Sequence, residues 1–341
     1  MAESGAKPEV AEVNEVASEL APGATALSGR YFLAAVVLTA AYVAIVAWIA
    51  GRTGLFYIMF PELGALAYDV FERPAGGWSR SPLHLATTPL ITAAIGTLIT
   101  RSLAYGPLSI TLDVGAALAV IMALGSPISP AISAGLLPLV LGVRSRLYPP
   151  AILFGTALLA ALTLPWRRLV SGVAEAALYG AEPEVHPTVE PRPWGWAWMG
   201  ALMAFVAVAA VAASLTGLRM VLFPPLAVIA FETVYHREAD PWGGRVKWIP
   251  LACFATAGAG LLFVRHFGAS PEAAALSVLW SVAVLRVLKL HLPPALAVGL
   301  LPMVMNAPDL FYPIAVGGGT LLLVGWFFLY RRLMLALALR A

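Results

Sequence analysis

Charge is what this sequence has least of. Asp, Glu, Lys and Arg make up 11% of its 341 residues, 60% are hydrophobic, and the mean hydropathy is +0.86. Water-soluble globules carry about 25% charged and about 45–50% apolar residues, so a soluble domain is excluded. Cysteine is nearly absent: Cys253 stands alone in an apolar run, which excludes a disulfide framework and a thiolate metal site. Five histidines spread along the chain make no metal cluster. His-Glu-x-x-His, P-loop, Gly-x-Ser-x-Gly and Asp-rich prenyl-diphosphate motifs are all missing, so no catalytic residue and no cofactor is expected, and the chain reads as a non-enzyme. The net charge of +3 lies in short loops between apolar segments, where it records membrane orientation rather than nucleic-acid binding. The first residues are acidic (Glu3, Glu9, Glu12, Glu15, Glu19), the wrong charge for a signal peptide.

What is present is apolar length. Segments fall at about 31–50, 55–71, 84–105, 108–124, 128–142 and 148–166, then at about 195–215, 219–235, 247–265, 271–288, 292–305 and 310–330. A spanning helix needs about 20 residues, so the expected fold is an all-α polytopic membrane protein with about twelve transmembrane segments. The second and fifth of each six are short and proline-broken. If all twelve cross and the N-terminus is inside, most of the 21 Lys and Arg fall on the inner side; re-entrant short segments would split them evenly. Twelve crossings with both termini cytoplasmic, in a cell membrane of the prokaryotic inner type, is therefore the expected topology. The expected organisation is an acidic tail (1–29), a first membrane unit (30–166), an amphipathic interfacial helix and proline-stiffened linker (167–193), a second membrane unit (194–332) and a short tail (333–341).

The two units repeat. Phe60-Pro61 recurs as Phe223-Pro224, Gly135-Leu136-Leu137-Pro138 as Gly299-Leu300-Leu301-Pro302, and Tyr148-Pro149 with Gly155-Thr156 as Tyr312-Pro313 with Gly319-Thr320. Three proline- or glycine-bearing anchors in one register predict a tandem duplication. Six crossings per unit make the repeats parallel, and the chain a pseudo-dimer, monomeric or further assembled into a homo-oligomer. The order long, short, long, long, short, long also permits a nested inverted pair within each unit.

Proline is tolerated in the first turn of a helix, so Pro61, Pro130, Pro224 and Pro293, with Pro225 and Pro294 behind two of them, are expected to start short helices at depth. Helix N-termini carry partial positive charge and free N–H groups suited to a small anion, although such prolines are equally explained as kinks satisfied by neighbouring helices. Thr87, Thr88 and Ser129 could add hydroxyls, or bond their own backbone. Ionisable groups at depth cost at least about 2.5–3.5 kcal/mol, which singles out Glu62 and Asp113, whose repeat mates Pro225 and Ser277 are uncharged. They are candidates for proton coupling, against a purely structural pairing. His84, Lys247, Arg286 and Lys289 form a possible anion approach at the inner side, with His291 beside the second signature; snorkelling to headgroups explains the basic residues equally well.

Phe60-Pro61-Glu62-Leu63-Gly64-Ala65, Phe223-Pro224-Pro225-Leu226-Ala227, Ser81-Pro82-Leu83-His84, Gly243-Gly244-Arg245-Val246-Lys247, and Leu292-Pro293-Pro294-Ala295 with His291 one place early resemble the motifs of the HPP family of membrane proteins. The resemblance covers both units, with the His-Pro-Pro signature eroded in each. It implies a transporter-like fold, with two copies of a unit that other members carry once, and a small inorganic anion such as nitrite as substrate. The competing expectation is a non-transporting membrane protein that holds a lipid, cofactor or partner helix in the groove between the units.

Overall fold

A computed structural model of the chain describes residues 29–170, 197–235, 242 and 244–338, and every regular element among them is helical. The expected acidic tail, interfacial helix and linker fall mostly outside the described residues. In chain order the helices are α1 (Gly29–Thr53), α2 (Glu62–Glu72), α3 (Pro82–Ser102), α4 (Pro107–Leu124), α5 (Ala131–Leu141) and α6 (Tyr148–Leu169). The second set is α7 (Ala197–Thr216), α8 (Pro224–Tyr235), α9 (Ile249–Phe267), α10 (Pro271–Leu288), α11 (Pro294–Leu300) and α12 (Phe311–Ala338). Short 3-10 turns precede α2 (Phe56–Ile58) and α8 (Arg219–Leu222) and extend α11 (Leu301–Val304), and a one-turn helix, Gly77–Arg80, leads into α3.

Among the described residues, eight helices are long and apolar enough to cross a membrane: α1, α3, α4, α6, α7, α9, α10 and α12. The other four are not. At 1.5 Å per residue the 11 residues of α2 or α5 rise about 16 Å, roughly half of a 30 Å hydrocarbon core. The expected apolar segments at 55–71 and 219–235 are thus only partly helical, because Pro61 and Pro224 set where the helix can begin and the preceding residues run as 3-10 turn and coil.

Burial sorts the two classes. All of α2 and α11 and almost all of α5 and α8 are buried. The long helices bury only one face and expose large side chains such as Leu33, Leu215, Leu262 and Val287. This is the arrangement lipid demands: a helix end or a coil at depth must be enclosed by protein, whereas a complete helix can face hydrocarbon. Across the two sets, α1 packs on α10 and α7 on α4, while α2 packs on α11 and α8 on α5. The short helices therefore meet at the centre, between the two sets.

Within each set, backbones approach closely at glycine. A Cβ on Gly96 would collide with the carbonyl of Gly135, and a Cβ on Gly260 with that of Gly299. Tyr148 donates its hydroxyl to the carbonyl of Ala134, and Tyr312 donates to that of Val298. These bonds tie α5 to α6 and α11 to α12 at corresponding turns.

One polar contact links the sets at the end where α2 finishes. His291, between α10 and α11, places Nε2 3.3 Å from Asp69 Oδ1 and Nδ1 3.3 Å from Glu72 Oε2, and its ring stacks beside Tyr68. Arg73 donates to Asp69 Oδ1 (3.4 Å), and its guanidinium lies 3.3 Å from His291 Nε2, which can accept from it only when that nitrogen carries no proton. A neutral imidazole has one N–H and can serve one carboxylate; the protonated ring donates to both. Burial and the Arg73 charge oppose protonation of the ring, but the adjacent carboxylates of Asp69 and Glu72 outweigh them, and the pKa of His291 is raised above its ordinary value.

Two outcomes follow from this packing. Gly260→Ala should lower the unfolding temperature in detergent, with a cost of about 1–3 kcal/mol for overpacking, whereas Gly258→Ala on the same helix, which meets open space, should not; equal melting of the two variants would sink the close-approach argument. For His291, a raised pKa gives stability that is present in full below about pH 6.5 and lost as pH rises through the raised value. The melting difference between wild type and His291→Gln should accordingly be largest in acid and shrink in alkali, and a difference indifferent to pH would show that the ring acts by packing alone.

Candidate functional site

Each short helix starts at proline. Pro61 and Pro130 are the residues immediately before α2 and α5, Pro224 and Pro225 open α8, and Pro293 and Pro294 open α11. A missing N–H costs nothing in the first turn, and the fixed φ favours helical entry. The chain can thereby begin a helix inside the protein and place the next residue's side chain there. At α2 that residue is Glu62.

Glu62 is 1% exposed and neither carboxyl oxygen has a hydrogen-bonding partner among the described residues. Ser133, in the first turn of α5, is the hydroxyl that acts on this carboxyl, yet the pair closes no bond of good geometry and Ser133 Oγ is likewise unpartnered. Asp113, from the middle of α4, is also 1% exposed with both oxygens unpartnered, and it lies against the bare face of Gly135, where a Cβ would stand 3.2 Å from each oxygen. Tyr148 donates to Ala134, between Ser133 and Gly135, and its phenol is within electrostatic reach of both Glu62 and Asp113. Tyr312 of the second set is within reach of Glu62. One turn of α5 thus gathers two carboxyls, a hydroxyl and a phenol. Ser129, just before that turn, is buried and unpartnered as well.

Nothing equivalent stands at the aligned positions of the second set. Pro225, Ser277 and Ala297 take the places of Glu62, Asp113 and Ser133. Ser277 Oγ is buried and unpartnered, but no carboxyl is beside it in the aligned set. Chemically, the first cluster can accept and release protons and can offer hydroxyl donors; the second can offer a hydroxyl only.

The remaining sequence candidates lie elsewhere. Thr88 donates to Ser126 at the start of the coil leading to α5, which is structural, and Thr87 bonds back to the carbonyl of Leu83 in its own helix. Arg286 stacks over Phe32 at 4.0 Å, and Lys289 takes the left-handed cap position (φ 50°) that ends α10. His84 lies in the first turn of α3 and Lys247 in the turn before α9. Neither His84 nor Lys247 is brought to the Glu62 cluster. His291, three residues before α11, lies beside Asp69 and Glu72. Three residues escaped sequence reasoning. Glu72 is three residues after Asp69 and so shares its helical face; Ser133 is three after Pro130, in the first turn; Tyr148 is the tyrosine of the Tyr-Pro anchor.

At the end of the fold opposite Arg73, a cavity of about 120 Å³ lies between the sets, lined by Tyr57, Gly142, Arg144, Val304 and Asn306 among others. Arg144 donates no side-chain bond there, although its carbonyl accepts one from Arg101.

No curated protein and no solved structure matches the chain. Residues 186–336, which contain α7 to α11 and most of α12, match the family model described as HPP, transmembrane region. The polar cluster lies in the other set of helices, so the match speaks for the scaffold and not for that cluster. Over residues 186–336, less than half of its length, the chain is similar to the transmembrane region of the HPP family.

Proposed function

We propose that the protein is a membrane transporter for a small inorganic anion, nitrite-like in size and charge, coupled to protons through Glu62 and Asp113. The observation that carries this reading is the burial of both carboxyls, unpartnered, at the start of one half-helix and beside the first turn of another. An ionised carboxylate without a partner is costly in such surroundings, and a proton is the simplest companion that relieves the cost. The N-terminal turns of α2 and α5 add partial positive charge of the kind that attracts anions. The identity of the anion rests on the family resemblance alone.

The proposed topology has twelve crossings in two parallel six-segment units. In support, Thr88, Gly96 and Arg101 of α3 meet Ser126, Gly135 and Arg144 in order. The coil and helix from 126 to 144 therefore run alongside α3 in the same direction and cover a similar depth. Likewise Tyr57, Leu63 and Phe71 meet Tyr148, Gly155 and Trp166 in order, which carries the stretch from 57 to 72 alongside α6. Coil plus short helix thus complete what the short helix alone cannot. The corresponding pairs Gly260 with Gly299, Tyr312 with Val298 and Gly319 with Leu226 support the duplication. On this reading the Arg73 end faces the cytoplasm, both termini are cytoplasmic, and the membrane is a prokaryotic inner membrane.

Purified protein in liposomes should take up nitrite, nitrate or formate under an anion gradient, faster with an inward proton gradient. No flux of any of the three under either gradient would sink the transporter and leave a groove-binding role. Glu62→Gln keeps the shape and removes the titration, so it should make flux insensitive to the proton gradient, and Asp113→Asn should do the same or abolish flux. A gradient dependence unchanged in both variants would remove the carboxyls from coupling and leave a uniport.

A further inference from the structure

A second feature, remote from the Glu62 cluster, has the chemistry of a ligand site. Helices α9 and α12 run antiparallel, with Gly317 against Phe254 in the middle. This brings Lys247, in the turn before α9, to the same end as Arg331 near the close of α12's apolar stretch. Between them is a cavity of about 80 Å³ lined by Gly244, Val246, Lys247, Phe327, Phe328 and Arg331. Both cations are exposed, and neither makes an ion pair or hydrogen bond among the described residues. Phe328 is 46% exposed and Trp248, next to Lys247, 40% exposed, so the cavity opens beside an apolar and aromatic face.

The aligned place in the first set is arranged differently. Arg167, which aligns with Arg331, turns its guanidinium to the carbonyl of Ser79 at 3.5 Å, and His84 stands where Lys247 would be. The open, doubly cationic form is therefore a property of the second set.

We propose that this cavity binds the phosphate of an acidic phospholipid, with Lys247 and Arg331 on the phosphate and an acyl chain laid along Phe328 and Leu329. Level supports it. Arg245 donates to the carbonyl of Leu288 at the end of α10, and the next loop carries His291 to Asp69 and Arg73. The cavity thus lies at the end of the fold where the long helices stop and basic residues collect, which is the depth of lipid headgroups. Two uncompensated cations favour a net negative headgroup over a zwitterionic one, whose ammonium would meet them. Arg and Lys both bind phosphate, Arg through its planar fork and Lys as a point charge.

The test uses the full chain, delipidated in neutral detergent and titrated with phosphatidylglycerol, phosphatidylcholine or inorganic phosphate, reading the unfolding temperature and the lipid retained by native mass spectrometry. Phosphatidylglycerol should raise the unfolding temperature and remain bound, and Lys247→Gln/Arg331→Gln should weaken it on the order of tenfold. Arg332→Gln, whose side chain is outside the cavity, should behave as wild type. If the double variant fails to fold, Lys247→Gln alone should show a partial loss of the same lipid. An equal response to phosphatidylcholine, a response to inorganic phosphate alone, or undiminished retention in the variants would overturn the assignment. Since the readouts involve no flux, failure here leaves the transporter proposal standing, and failure of transport leaves this site standing.

Discussion

Unpaired backbone groups cannot face hydrocarbon, and most of this architecture follows from that constraint. Four helices are too short to cross the layer, so at depth each would leave N–H and C=O groups to be satisfied by the protein. Eight long helices wrap them, and the wrapping is tight where Gly96 and Gly260 admit a neighbouring carbonyl. Tyrosines close some of the loose ends. Tyr42 donates to the carbonyl of Gly155, Tyr148 to that of Ala134 and Tyr312 to that of Val298, each a long aromatic side chain delivering one donor to a buried acceptor. Such bonds combine apolar filling with polar satisfaction, which is what an interior of this kind requires.

The membrane class and the position of every short helix were legible before any coordinates, because hydropathy and proline act locally. Pro61, Pro130, Pro224 and Pro293 each mark a helix start within a residue or so. What composition could not say was how much of each short segment is helical. An apolar run such as 55–71 has the same hydropathy whether it coils or extends, and only the neighbours decide which backbone groups find partners. The polar centre was half legible. Glu62 and Asp113 stand out because charge at depth is costly, whereas Ser133 and Tyr148 are ordinary residues whose importance comes from which helix lies opposite. His291 was legible as a candidate, whereas its contacts with Asp69 and Glu72 were not, since these lie more than 200 positions away along the chain.

The two ends and the centre of the molecule are polar in different ways. The centre holds carboxyls that meet no cation, at Glu62 and Asp113. The end near Arg73 holds carboxylates that do meet cations, with Asp69 shared between Arg73 and His291. The same residue type is paired in one place and unpaired in another because partners, more than burial, set the surroundings of a carboxyl.

Carrying both sets of helices on one chain has a genetic consequence. In an assembly of two identical units, any substitution appears on both sides of the axis, and a carboxyl introduced at one half-helix start faces its own copy across the interface. Here Glu62 and Asp113 can be altered while Pro225 and Ser277 stay as they are. On the proposed duplication, joining the units in one reading frame would free one half to specialise while the other keeps the packing, and Lys247 and Arg331 at their cavity, where the first set has His84 and an Arg167 turned to Ser79, would be a second instance.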